Sequence, residues 1–189
     1  MIKYLTDRIR KDLIESKIDW KIAFIFIPIA FLTYLFHEFG HWIVGEFLGN
    51  DMVLSLNNAN ARSGYYIEKS HGLYISMGGP AFTIIQSLIF LVILERTRSI
   101  YAYPFIFFPA FSRFFSIIFG GINQQDESRI SAMLDSNIYV VVLVVLLTLF
   151  LIVWRGSYSL KLNMKAIGYY TVISTLCILL VIGLNKLMV

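Results

Sequence analysis

With 189 residues, 58% of them hydrophobic and 16% aromatic, and a mean hydropathy of +0.72, the chain lies well outside the composition of soluble domains. The net charge of +4 comes from basic residues spread over the N-terminal segment and loops, with no aromatic-interleaved basic stripe, which argues against a nucleic-acid partner. A single cysteine, Cys177, sits in an apolar run and excludes an intrachain disulfide.

Residues 1–21 are rich in charge, with Ile2, Leu5, Ile9, Leu13 and Ile14 spaced like one face of a helix. This pattern predicts an amphipathic helix lying at the membrane interface, without a cleavable signal peptide. Five apolar segments follow: about 22–48, 73–94, 100–119, 138–154 and 167–184. Each approaches the ~20 residues needed to cross the hydrocarbon core. The expected fold is therefore an all-α polytopic membrane protein of about five transmembrane helices, with residues 22–189 forming a single domain. Trp20, Trp42, Tyr101, Tyr103, Trp154, Tyr169 and Tyr170 stand towards segment ends, as interfacial aromatics do. Lys and Arg concentrate before the first segment and between segments two and three and four and five, so the positive-inside rule predicts a cytoplasmic N-terminus.

The link between the first two segments contains two β-prone pieces, "MVLSL" (52–56) and "GYYIE" (64–68), around the polar "NNANARS". These predict a membrane-associated β-hairpin within 52–68, with an irregular solvated loop as the alternative.

"LFHEFGHWIVGEFLG" (35–49) places ionisable side chains inside the first apolar segment. At ~100° per residue, His37 and His41 lie one turn apart on one helix face, where both imidazoles can reach one metal ion. Glu38 is ~100° round from His37, near enough to contact a metal-bound water without being a ligand. Such a site suits Zn2+, which lowers the pKa of its water towards ~7 and lets Glu38 act as general base. The competing reading makes the histidines interhelical hydrogen-bond partners. Three ionisable groups within five residues at membrane depth require compensation, and a metal supplies it. Gly40 and Gly45 allow close backbone approach, and Gly45 fits either substrate clearance or helix packing. Glu46 is ~180° from His37, which disfavours it as a ligand and suggests an interfacial position or a basic partner.

A catalytic zinc normally takes a third protein ligand. "FGGINQQDESRI" (119–130) offers Asp126, brought beneath the histidines if the chain re-enters the bundle. Alternatively Asp126 caps a short helix from Glu127 to Leu134. Glu127 and Asp135 are weaker ligand candidates. Arg113, inside the third segment, should face the bundle and pair with Asp126 or Glu127, as a structural ion pair or in shaping the site. His71 reads as a surface or interfacial residue. "SMGGPAF" (76–82) is either a packing kink or an opening beside the metal.

These motifs resemble the site-2 protease class of intramembrane zinc metalloproteases. "HEFGHWIVGEFLG" is similar to that family's first motif, and "GGPAF" with Thr83 resembles its Gly-Pro-x-x-Asn element, with Thr in place of Asn. "NQQDESRI" occupies the place of the family's third-ligand aspartate, outside its usual Leu-Asp-Gly setting. The resemblance spans roughly 22–134. It implies zinc ligands His37, His41 and Asp126, Glu38 as catalytic base, and a transmembrane or membrane-associated peptide as substrate. Pairing of an extended substrate with the hairpin is an expectation of the same reading. The alternative is a non-catalytic metal-binding membrane scaffold; no paired broken-helix repeat points to a transporter.

Overall fold

A computed structural model describes residues 2–56 and 58–188. Its helices are α1 (Ile2–Glu15), α2 (Trp20–Phe47), α3 (His71–Thr97), α4 (Pro104–Gly120), α5 (Asp126–Met133), α6 (Tyr139–Leu160) and α7 (Met164–Met188). Between α2 and α3 lies a two-stranded antiparallel sheet, β1 (Met52–Ser55) and β2 (Asn58–Ala61). Five helical stretches are long and apolar enough to cross a membrane: 20–47, 71–97, 100–120, 139–160 and 164–184. The all-α polytopic architecture expected from composition is the architecture present.

Local chemistry sets the boundaries. Asp19 caps α2 by accepting the Ile22 amide at 2.8 Å. Pro104 opens α4 at a position where its missing N–H costs nothing, and Gly121 ends that helix with φ +86°. Lys161 closes α6 in the left-handed conformation. The polar "RGSYSL" after Trp154 continues α6 six residues beyond the apolar run, because nothing in it breaks a helix. Gly156 there packs against Tyr103 and Ile106.

Helix α2 is central, packing on α3, α4 and α7. Its Phe26 meets Tyr170 of α7 and Phe108 of α4, at ring separations of 5.6 and 6.4 Å. A polar tie, Gln86 Nε2 to Thr33 Oγ1 at 3.0 Å, joins α2 to α3 within the span. In contrast, Leu143, Leu147 and Leu151 form an exposed stripe at i, i+4 spacing on α6. In water that stripe would be costly; against lipid it is the expected surface.

The bundle has two distinct ends. One gathers α1, the start of α2, the α3–α4 link and the α6–α7 turn. There Lys165 reaches Asp12 at 2.6 Å and Lys17 Nζ donates to Leu160 O at 3.0 Å, docking α1 on the α6–α7 turn. The other end carries the hairpin, α5 and the start of α3. His37 lies 17 residues into α2, ~26 Å along its axis. The histidines are therefore inside the bundle but nearer the hairpin end.

The hairpin differs in detail from expectation. The return strand is Asn58–Ala61, inside the stretch expected to be loop, and "GYYIE" contributes no strand. Register and burial outweigh propensity: Ser55 stands opposite Asn58, and that register buries Ala59 and Ala61 together with Met52. Ile67 is instead fixed by its amide, which donates to Asn50 Oδ1 at 2.9 Å.

Candidate metal centre

One helical turn separates His37 from His41, and α2 presents both buried imidazoles towards α3. Space for them is made by glycine. A Cβ on Gly79 would collide with both rings, and one on Gly40 would strike the Gly78 carbonyl. The "GGP" element is thus a close helix contact that also clears a pocket for two side chains. The substrate-clearance reading of Gly45 does not hold, since it faces the Met52 side chain and packs the hairpin onto α2.

Each imidazole is oriented from α3. Thr83 Oγ1 donates to Gly79 O at 3.0 Å, so it accepts from His37 Nδ1 at 2.9 Å. His41 Nδ1 lies 2.6 Å from Ile75 O, a group that can only accept. The Gly79 amide also approaches that nitrogen, at 3.3 Å, but the shorter contact to a carbonyl decides the tautomer. Both Nδ1 atoms therefore carry the proton, and both Nε2 lone pairs face the same point. The interhelical hydrogen bonding expected of membrane histidines is present at both Nδ1 atoms, and at His37 Nε2 as well, which Arg113 Nη2 of α4 approaches to 3.0 Å.

Asp126 completes the convergence. The chain turns at Gly121 and re-enters, with Asp126 opening α5. The cap position is Gln125, so the Asp126 carboxylate is released from capping and points to the histidines. His37 Nε2, His41 Nε2 and Asp126 Oδ2 are separated by 3.2, 3.0 and 3.3 Å. Tetrahedral ligands on bonds of about 2.0–2.1 Å stand about 3.3 Å apart. Three electron-pair donors at that spacing, in a buried site, fit a divalent metal ion, and these residues form the metal-competent group among the described residues.

Glu38 lines the same cavity, of about 390 Å³, with Tyr34, Arg113, Asn58 and Asn60. Arg113 was expected to pair with Asp126 or Glu127, and it pairs with both, at 3.1 Å each. Its Nη2 also stands 3.0 Å from His37 Nε2. Glu127, 1% exposed, faces Arg113 rather than the histidines, and Asp135 is exposed beyond the C-terminal end of α5. Neither is placed as a ligand. His71 sits outside the site, its Nδ1 3.1 Å from the Asn50 amide. Glu46 holds the Met52 amide at 2.8 Å, anchoring β1 by a backbone partner instead of a basic side chain.

Sequence reasoning missed the roles of Thr83 and Ile75, which hold the imidazoles from the neighbouring helix. Thr83 carried a signal, being a hydroxyl inside an apolar run; a backbone carbonyl carries none.

Comparison of the chain with family models, curated proteins and solved structures returned no match.

Proposed function

We propose that this protein is an intramembrane zinc metalloendopeptidase, similar to the site-2 protease class, with His37, His41 and Asp126 as zinc ligands. The observation that carries the reading is the convergence of these three ligand atoms at tetrahedral spacing, with Glu38 lining the same cavity.

The chemistry that zinc supplies is polarisation of a water molecule and of the scissile carbonyl. Glu38 accepts a proton at its carboxylate as the water oxygen bonds to the carbonyl carbon. As the C–N bond breaks, Glu38 delivers that proton to the leaving amine. Thr83 and Ile75 O keep the imidazoles in the tautomer this chemistry needs. Arg113 steadies the Asp126 carboxylate from α4.

A helical substrate hides its carbonyls in hydrogen bonds and must unwind before attack. β2 offers it an alternative. Arg62 N donates to Asp51 O at 2.8 Å, so alternation along the ladder directs the Ala59 and Ala61 backbone groups away from β1. Ala61 O accepts the Gly64 amide, which leaves the edge centred on Ala59, a buried residue that lines the proposed catalytic cavity. An extended segment paired there as an added strand lies beside Glu38. The N-terminal end is assigned to the cytoplasm on the excess of Lys and Arg around α1.

The test is Glu38→Gln in purified protein, read by zinc content and by cleavage of reconstituted transmembrane peptides. Zinc should be retained at one equivalent while cleavage falls about 10²–10⁴-fold. Cleavage unchanged in that variant removes Glu38 from the mechanism. Function that survives replacement of both His37 and His41 by Ala identifies a non-catalytic scaffold instead.

A further inference from the structure

At the end of the bundle away from the metal centre lies a second cavity, of about 660 Å³, between the α3–α4 link and the α6–α7 turn. Arg98, Arg155 and Lys161 line it, flanked by Trp154, Tyr158 and Met164. We propose that this cavity is a binding site for the phosphate headgroup of an anionic phospholipid.

Three features carry the assignment. The first is unspent positive charge. Arg98 uses Nη1 on Ser159 O at 2.9 Å, and Arg155 uses Nε on Glu95 at 2.5 Å, which leaves the remaining guanidinium donors of both. The Lys161 ammonium has no hydrogen-bond or ion-pair partner among the described residues, its backbone amide alone being used, on Tyr158 O. The local acids are already engaged, Glu95 with Arg155 and Asp12 with Lys165. The second is the state of the helix carbonyls, which would otherwise repel an anion. Ser159 O is covered by Arg98, and Leu160 O by Lys17 Nζ at 3.0 Å.

The third feature is depth. Helix α6 has 22 residues, ~33 Å of length, against a hydrocarbon core of ~30 Å. The cavity at its C-terminal end therefore sits at headgroup level. Trp154, Tyr158 and Met164 are 66%, 71% and 82% exposed there, placed to lie along the glycerol and upper acyl region. A free phosphate would use the cations and leave these side chains without a role; a lipid uses both. Basic pockets between membrane helices bind anionic headgroups by this combination.

The experiment takes the full chain, delipidated in detergent and offered equimolar phosphatidylglycerol and phosphatidylcholine, with retained lipid counted by native mass spectrometry. The wild type should retain phosphatidylglycerol preferentially. Lys161→Gln alters an exposed side chain that nothing in the fold depends on, and should lower that retention several-fold. Adding Arg98→Gln should lower it further, to about tenfold or more, and Lys161→Arg should restore the single-site loss. Arg62→Gln with Lys69→Gln, at the opposite end, should leave retention unchanged. Equal retention of the two lipids, unchanged retention in Lys161→Gln, or full displacement by millimolar inorganic phosphate overturns the proposal. None of these readouts depends on proteolysis or on the metal.

Discussion

His37 and His41 can serve one metal only if their Nε2 atoms are bare, and that is decided by single atoms on α3. Thr83 Oγ1, 2.9 Å from His37 Nδ1, is the more testable of the two. Thr83→Val keeps the shape of the side chain and removes the acceptor. Metal affinity should fall about 10–100-fold by competition titration, while Thr83→Ser stays near wild type. Equal affinities in Val and Ser variants would leave Thr83 a packing residue only. The Arg113–Glu127 pair is a second single-residue device, holding α4 to α5 with one partner 1% exposed. Arg113→Met should cost about 3–5 kcal/mol, because it strands a buried carboxylate. Arg113→Met combined with Glu127→Gln should recover most of that loss in denaturation measurements, since the stranded charge is then gone.

Between elements, the α2–α3 contact is set by Gly40 against Gly78, and the site exists because two backbones meet there without side chains. Helix α1 is attached differently, by polar contacts to the α6–α7 turn. The hydrogen bond from Lys165 holds the Asp12 carboxyl below its ordinary value. The Asp12 contribution is present above its ordinary pKa of 3.8 and is lost as pH falls through the lower folded value. Docking of α1 should therefore hold above about pH 4. Hydrogen exchange of the α1 amides checks this: protection should drop as pH falls below that value, and Lys165→Gln should lower it at neutral pH.

At the scale of the molecule, two ends of one bundle carry separate chemistry. Cations and interfacial aromatics gather around α1 and the α6–α7 turn, and the metal-competent group lies towards the hairpin. The charge asymmetry predicts that the α1 end faces the cytoplasm. With Cys177 buried and replaced by Ala as background, a cysteine at Ser63 should react with an impermeant maleimide from outside intact cells, and one at Lys11 should not. The reverse pattern would invert the orientation and place the hairpin edge on the cytoplasmic side.

The five spans, the shared helix face of His37 and His41, and the displacement of Glu38 from that face were fixed by local sequence, because hydropathy and the 3.6-residue period act over a few neighbouring residues. Arg113 was legible too, since a guanidinium inside an apolar run demands a carboxylate. The place of Asp126 beside the histidines was not, because "NQQDESRI" reads equally as a helix cap until the turn at Gly121 brings it under residues some ninety positions earlier. Nor was β2, whose sequence "NANA" has little strand propensity and pairs because of register and burial against α2. Local pattern decided which elements form; long-range packing of backbone against backbone, at Gly40, Gly78 and Gly79, decided which side chains share a site.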